Sequence, residues 1–449
     1  MKYDILLKDI DYLRPDMTVA KGCTIAILDG KIAGIFDPGG TEENCAKPEA
    51  DTVITGSRLF AMPGITDAHI HTSQQLLRGR LLDEKPVIWK RVNVPFESRL
   101  TEESSALSAS LAALEMIRCG TTSFVDAGGK YPEVFAEVYE QAGMRGRLSV
   151  FTNDNPYAPE TLRAASPEAG VARQRKLKQF LDGRQNGMLR PIYSVTVPTA
   201  VSEEMYREML AAAAEDGVPF ETHMNEYSSE VSELLERYGE RPFVWLAKEG
   251  LIPPEMLAVH SLHLTPEEME IVAARKIKVA HCPFSNSGKG VPKTPDMLPR
   301  GISCGFGSDG AGHGGLDIFR EIRLFRCLMN AVRGLENADP NVMPAETLLW
   351  MATQGGAAAL FMEDQKPGRI KEGAAADIIV LDMDAPHLWP TQNILHTIVE
   401  SATGQDVRHS VIGGRLVMKD REMLTLDQER IRADAEAAFQ KEPFLNHWV

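Results

Sequence analysis

His69 and His71 stand two residues apart in the stretch Pro63-Gly64-Ile65-Thr66-Asp67-Ala68-His69-Ile70-His71. On an extended strand that spacing places both imidazoles on one side. One divalent ion then takes both, and imidazole is the commonest protein ligand for zinc and a good one for iron. An HxH pair alone fits an ordinary strand equally well, so the rest of the chain has to decide. His223 ends a predicted strand and has Glu226 three residues on; His260 and His281 end the next two, and Asp309 follows another inside Gly307-Ser308-Asp309-Gly310. One histidine at a strand end is usually structural, whereas several facing one mouth call for a metal. Three neutral imidazoles and one carboxylate hold a single Zn²⁺ or Fe²⁺ and leave a position for water, whose pKa falls towards neutrality. Asp309 would bind the metal and take the water's proton, while Glu226, not a ligand, would protonate a ring nitrogen and pass protons to the leaving group. That is equipment for hydrolytic deamination.

Such side chains need strands to carry them. Residues 1–60 read as short strands, Tyr3–Lys8, Thr24–Leu28 and Lys31–Phe36, with an Asp29-Gly30 hairpin turn and a Pro38-Gly39-Gly40 turn. Strand and helix then alternate. Thr101 caps a helix whose stripe is Leu107, Leu111, Leu114 and Ile117, and Gly120 stops it before the strand Thr121–Val125. Val134–Gln141, Ser202–Ala214, Asp317–Val332 and Ala345–Leu360 read as helices, as does the segment opened by Thr265-Pro266-Glu267-Glu268. Leu148–Phe151, Ile192–Val197, Val218–His223, Met256–His260, Ile277–His281 and Ile302–Gly307 read as strands. This alternation predicts an α/β fold, a closed (β/α)₈ TIM-like barrel over residues 61–362 with its chemistry at the strand C-termini. Beyond it, Asp377–Leu381, Ile394–Ser401 and a Val411–Met418 hairpin are strand-like, and a last helix spans Asp427–Gln440. Residues 1–60 and 363–449 are expected to pair as a small β-sandwich domain.

Composition narrows the partners. With 43% hydrophobic and 25% charged residues the 449-residue chain reads as globular. No apolar run reaches a membrane span, and the charged start is unlike a signal peptide, so a cytoplasmic protein is expected. The six cysteines lack a CxxC pair and read as reduced and mostly buried. A formal charge of −15 disfavours nucleic acid and anionic membrane and favours a small substrate.

In this order the motifs Pro63-Gly64…Asp67-Ala68-His69-x-His71, His223-x-x-Glu226, His260 and Gly307-Ser308-Asp309-Gly310, with Gly368-x-Ile370-x-x-Gly373-x-x-Ala376-Asp377 near the end, resemble the amidohydrolase superfamily. More narrowly they resemble its branch of adenosine-thioether, guanine and 8-oxoguanine deaminases and triazine hydrolases. The resemblance implies metal ligands at His69, His71, His223 and Asp309, an acid/base at Glu226, a substrate-polarising histidine at His260, and one metal ion, since no lysine is placed as a carbamylated bridge. It also implies a homo-oligomer.

Leu76-Leu77-Arg78-Gly79, Trp89 and Pro95-Phe96-Glu97-x-Arg99-Leu100-Thr101 are similar to the S-adenosylhomocysteine/methylthioadenosine deaminase type. That similarity implies Trp89 packing on substrate and Glu97 on ribose hydroxyls. Thr196 stands where that type has histidine, and the arginine that helps hold the homocysteine carboxylate is replaced near Val150, which argues against S-adenosylhomocysteine itself. Gln74 matches the glutamine with which guanine and 8-oxoguanine deaminases bond the base, and its amide both donates and accepts. His313, in Gly312-His313-Gly314-Gly315, is expected to face the pocket, and Asn286 and Lys289 to shape its mouth. The reading is a metal-dependent deaminase of an amino-substituted nitrogen heterocycle. Alternatives are the same site with another leaving group (chloride, alkylamine or a ring amide) and a non-catalytic scaffold.

Overall fold

The computed structural model describes residues 2–38 and 49–446, so most of the Pro38-Gly39-Gly40 turn and Cys45 lie outside the described residues. The chain opens with β1 (Lys2–Leu13), β2 (Val19–Leu28), β3 (Lys31–Phe36), β4 (Glu49–Thr55) and β5 (Leu59–Pro63). A central run follows: β6 (Ile65–Ile70), β7 (Thr121–Asp126), β8 (Arg145–Leu148), β9 (Leu189–Pro191), β10 (Tyr193–Ser194), β11 (Phe220–Met224), β12 (Met256–His260), β13 (Lys278–His281) and β14 (Cys304–Phe306). It closes with β15 (Ile378–Asp382), β16 (Val407–Ile412), β17 (Arg415–Lys419) and β18 (Glu422–Met423).

Among the described residues, the central strands form two all-parallel sheets, β6-β7-β8-β9 and β10-β11-β12-β13-β14. Their outer edges meet at one rim, where the Asp309 N–H donates to the His69 carbonyl at 3.0 Å and the His71 N–H to the Asp309 carbonyl at 2.7 Å. The terminal segments pair with each other, as expected, within one nine-stranded sheet whose order runs β18-β17-β16-β15-β5-β1-β2-β3, with β4 on β1. Ile5, Leu7, Ile25 and Ile27 from its first half share a core with Ile378 and Val380 from its second.

Local signals explain most elements. Thr101 caps Glu102–Arg118 through a box with Ser104, and Thr265 caps Pro266–Ala274 through a box with Glu268. Three expectations need correction. Ile394–Ser401 is a helix, because the Asn393 side chain accepts from the Leu395 and His396 N–H groups and Leu395, Ile398 and Val399 bury at helical spacing. Ile192–Val197 is strand only over Tyr193–Ser194. In Glu102–Arg118, Ile117 is buried as expected but Leu107, Leu111 and Leu114 are only partly buried, and the rest of the buried face is Ser104, Ser105, Ser108, Ala109, Ala112, Ala113 and Met116. Small side chains there let the helix lie close to the sheet. Cys23, Cys119, Cys282 and Cys304 are buried and free; Cys327 is free and exposed. No helix among the described residues is long and apolar enough to cross a membrane.

One buried ion pair ties the two parts together. Arg145 of β8 donates from Nε to Asp377 at 2.6 Å, the Gly413 N–H donates to the same carboxylate at 2.7 Å, and both charged side chains are 2% exposed. Asp377→Ala strands the guanidinium in the core and is expected to cost about 3–5 kcal/mol in denaturant unfolding. A cost under about 1 kcal/mol, the size of an exposed pair, would show that water reaches this site.

Candidate metal centre and active site

His69 and His71 straddle the C-terminal end of β6, His223 sits near the end of β11, His260 ends β12, and Asp309 follows β14. All five belong to the rim where the parallel strands finish. Asn225, His260 and Asp309 adopt left-handed backbone conformations, φ +50°, +67° and +64°. Such conformations are costly for side-chain-bearing residues and gather where the chain is held for function.

The donor atoms converge. One atom each from His69, His71 and His223 lie within 4.8 Å of one another. His71 Nε2 is 3.2 Å from His223 Nε2 and 3.2 Å from Asp309 Oδ1, and His69 Nε2 is 3.8 Å from the same oxygen. His69 is fully buried with neither ring nitrogen hydrogen-bonded. A buried imidazole with no hydrogen-bond partner fits the role of a metal ligand better than that of a packed residue. His223 donates from Nδ1 to the Thr196 carbonyl at 2.6 Å, which turns the lone pair of Nε2 towards the cluster. Burial, then the neighbouring imidazoles, push His69 well below the ordinary histidine range, and burial pushes His223 down to about 3. Burial opposes charge on His71 too, but its bond to Asp309 pushes it up to about 9. A proton held between these two is what a cation would displace. Three imidazoles and a carboxylate at these separations fit one divalent ion.

Beside the cluster, Glu226 Oε1 faces His260 Nε2 at 3.6 Å. His260 donates from Nδ1 to Asn286 Oδ1 at 2.9 Å, so its Nε2 is left as an acceptor. Glu226 is ion-paired with Lys289, and both side chains are 6% exposed. Burial opposes ionisation of Glu226, but His260, Lys289 and His223 outweigh it and hold the carboxyl below its usual range. Burial lowers His260 as well.

These groups open onto one cavity. Gln74, Trp89, Glu97, Thr196 and His313 all line it, as the sequence led one to expect. Their contacts differ from the expectation. Gln74 donates to Glu97 Oε1 at 2.8 Å and accepts from Asn93 at 3.3 Å, so its amide is committed to orienting Glu97. A Cβ at Gly310 would overlap the Gln74 side chain, which favours glycine directly after Asp309. Burial pushes Glu97 up to about 7, with His71 and Gln74 acting against it. Thr196 gives its hydroxyl to the Thr152 carbonyl at 2.6 Å and its own carbonyl to His223. Burial pushes His313 down to about 4.

His281 departs from the expectation that it faces the same mouth. It is fully buried, its Nδ1 lies 2.9 Å from the His260 carbonyl, its ring stacks on Phe325, and it does not line the cavity. Asn93 was missed although it shows a readable signal: Trp89, Asn93 and Glu97 are spaced by four residues and share one helical face. Tyr227, Phe151, Ile88, Val94 and Val197, the remaining walls, carry no signal beyond being apolar or aromatic.

Comparison with known proteins agrees with this geometry. The 5-methylthioadenosine/S-adenosylhomocysteine deaminase of Halobacterium salinarum is 35% identical over 430 residues, 94% of each chain. The 5′-deoxyadenosine deaminase of Methanosarcina acetivorans is 33% identical over 447 residues, 98% of each. A crystal structure of an adenosine deaminase from Xanthomonas campestris with bound zinc superposes with a TM-score of 0.90 at 26% identity, covering 98% of both chains. The Amidohydrolase family pattern matches residues 60–417, and the chain belongs to that family.

Proposed function

We propose that the chain is a metal-dependent hydrolytic deaminase of a purine nucleoside bearing a small, uncharged 5′ substituent. The observation that supports this most directly is that the imidazole–carboxylate cluster, Glu226 and His260 share one cavity with Trp89 and Glu97. The two parallel sheets are read as one eight-stranded barrel, with Leu189–Pro191 and Tyr193–Ser194 as a single interrupted strand. On that reading the barrel spans 61–362, and 1–60 with 363–449 make up the small β-sandwich.

His69, His71, His223 and Asp309 would hold one divalent cation, zinc being best matched by the donor set. When bound, the cation supplies the Lewis acidity that makes water a nucleophile near neutral pH. Glu226, ionised at rest, takes one proton of the attacking water and delivers it to the ring nitrogen next to the amino-bearing carbon. Asp309 accepts the other proton of that water and passes it to the amino group, which leaves as ammonia. His260 presents Nε2 as acceptor to the new hydroxyl group of the tetrahedral adduct. Trp89 offers a face for the base or sugar, and Glu97, held by Gln74, accepts hydrogen bonds from a ribose diol.

The apolar part of the lining supports an uncharged 5′ substituent. Ile88, Trp89, Val94, Phe151 and Val197 belong to it, and among the described lining residues the one lysine or arginine is Lys289, already paired with Glu226. An amino-acid tail would find no guanidinium to hold its carboxylate. The test is ammonia release by zinc-loaded protein from 5′-deoxyadenosine, methylthioadenosine, adenosine, S-adenosylhomocysteine, guanine, 8-oxoguanine, pterins and aminotriazines. Highest kcat/KM on the first two is expected; a free base turned over faster than every nucleoside overturns the nucleoside reading, and no ammonia from any of them overturns deamination.

Glu97→Ala is expected to lower kcat/KM for the preferred nucleoside by roughly 10²-fold, because a site built around a hydrogen-bonded hydroxyl discriminates strongly once the partner is gone. The loss should vanish on the 2′,3′-dideoxy analogue. Equal losses on both would remove Glu97 from ribose recognition.

A further inference from the structure

The segment after β13 supplies a partner to each of the two residues that handle protons. Asn286 accepts from His260, and three residues on Lys289 pairs with Glu226. The segment is rigid locally: Pro283–Asn286 is a short helical turn, and the N–H groups of Lys289 and Gly290 both donate to the Asn286 carbonyl. The ammonium of Lys289 is fastened further by Ser285 Oγ at 2.6 Å, lies 3.9 Å from Asp309 Oδ2, and sits 5.4 Å from the Tyr227 ring centre.

A lysine that is 6% exposed is expensive to keep ionised, and a buried pair is poor evidence for stability alone. Here the partner lines the cavity beside the metal cluster. The Lys289 ammonium bonds Oε1 of Glu226, the oxygen that lies 3.6 Å from His260 Nε2, and the Glu226 backbone N–H is anchored to Glu230 Oε2 at 2.9 Å. Main chain and one carboxylate oxygen are therefore both pinned. Rotation that would carry the carboxylate away from the reacting face has to break the ammonium contact first.

We propose that Lys289 is a positioning residue: it clamps Oε1 of Glu226 so that proton exchange with the substrate runs through Oε2 of a carboxylate held in one orientation. The inference rests on the deaminase reading of the site. Lys289 does not touch the substrate; it acts through Glu226.

The experiment is a double-mutant cycle on zinc-loaded protein, with kcat, KM and zinc per chain measured for wild type, Lys289→Met, Glu226→Gln and the double variant. For Lys289→Met, kcat should fall roughly 30-fold to 100-fold, within the range that a misplaced proton-transfer group costs. KM should stay within about threefold and zinc per chain unchanged. The Glu226→Gln background should be slowed no further by Lys289→Met, since a residue acting through Glu226 has nothing left to position. Lys289→Arg, which keeps a cation near Oε1, should recover part of the loss. An active wild type with Lys289→Met within about threefold of it overturns the proposal alone, and so does a full additional loss in the double variant. Loss of zinc in Lys289→Met overturns it in favour of a structural or metal-holding role. If Lys289→Met fails to fold, Lys289→Gln and Lys289→Arg carry the same comparison. A wild type that releases no ammonia overturns the deaminase reading and the proposal together.

Discussion

Glu226→Gln is expected to leave one zinc per chain and to lower kcat on the order of 10³-fold, the range over which positioned proton transfer contributes. The substitution is nearly isosteric, so the cavity keeps its shape and KM should change little. What it removes is the proton. An amide cannot carry one to a ring nitrogen, and the neighbouring imidazole, His260, has its Nδ1–H engaged in a hydrogen bond to Asn286 Oδ1. Metal retention should survive because the converging donor atoms come from His69, His71, His223 and Asp309, whereas Glu226 is occupied by Lys289 and His260. Zinc by elemental analysis and ammonia release on one sample decide the matter. Turnover within about tenfold of wild type would mean that Glu226 is not the proton carrier.

Asp309→Asn should be worse in a different way. Oδ1 of Asp309 lies 3.2 Å from His71 Nε2 and 3.8 Å from His69 Nε2, so it is the sole anion in the donor set. Asparagine keeps an oxygen there but loses the charge that offsets a divalent ion and the basicity that takes a proton from water. Two outcomes follow. Zinc should be stripped from the variant by a chelator concentration that leaves wild type loaded. Restoring zinc with excess metal should still leave kcat down on the order of 10³-fold or more, since the proton acceptor is gone. Activity that returns fully with zinc would confine Asp309 to metal binding.

How much of this was legible in advance depends on the range of the forces involved. Thr101, Ser202 and Thr265 cap helices because a side-chain oxygen reaches an N–H a few residues away, and Gly143 ends Pro132–Ala142 in a left-handed turn for equally local reasons. The strand Met256–His260 was readable end to end. Ile394–Ser401 was misread because its β-branched run pulls towards strand, while the Asn393 cap and the burial of one face decide for helix. The residues that converge at the candidate metal centre were legible because their types and their places at strand ends both mattered, and both are properties of the chain.

Direction was the part that sequence could not carry. His260 and His281 each end a strand, and nothing local separates them, yet one faces Glu226 and the other stacks on Phe325. Gln74 and Glu97 pointed to different substrates until the fold joined them by a hydrogen bond. Lys289 was visible only as a residue near the mouth; that its ammonium meets a carboxylate 63 positions earlier is settled by how the segments after β11 and β13 lie against each other. The sequence by itself determined the chemical inventory, its spacing and the alternation of elements, because each depends on covalent order and short-range contacts. The tertiary structure alone decided which side chains converge and in which rotamer, because convergence depends on the register of strands far apart in the chain, which only their joint packing selects.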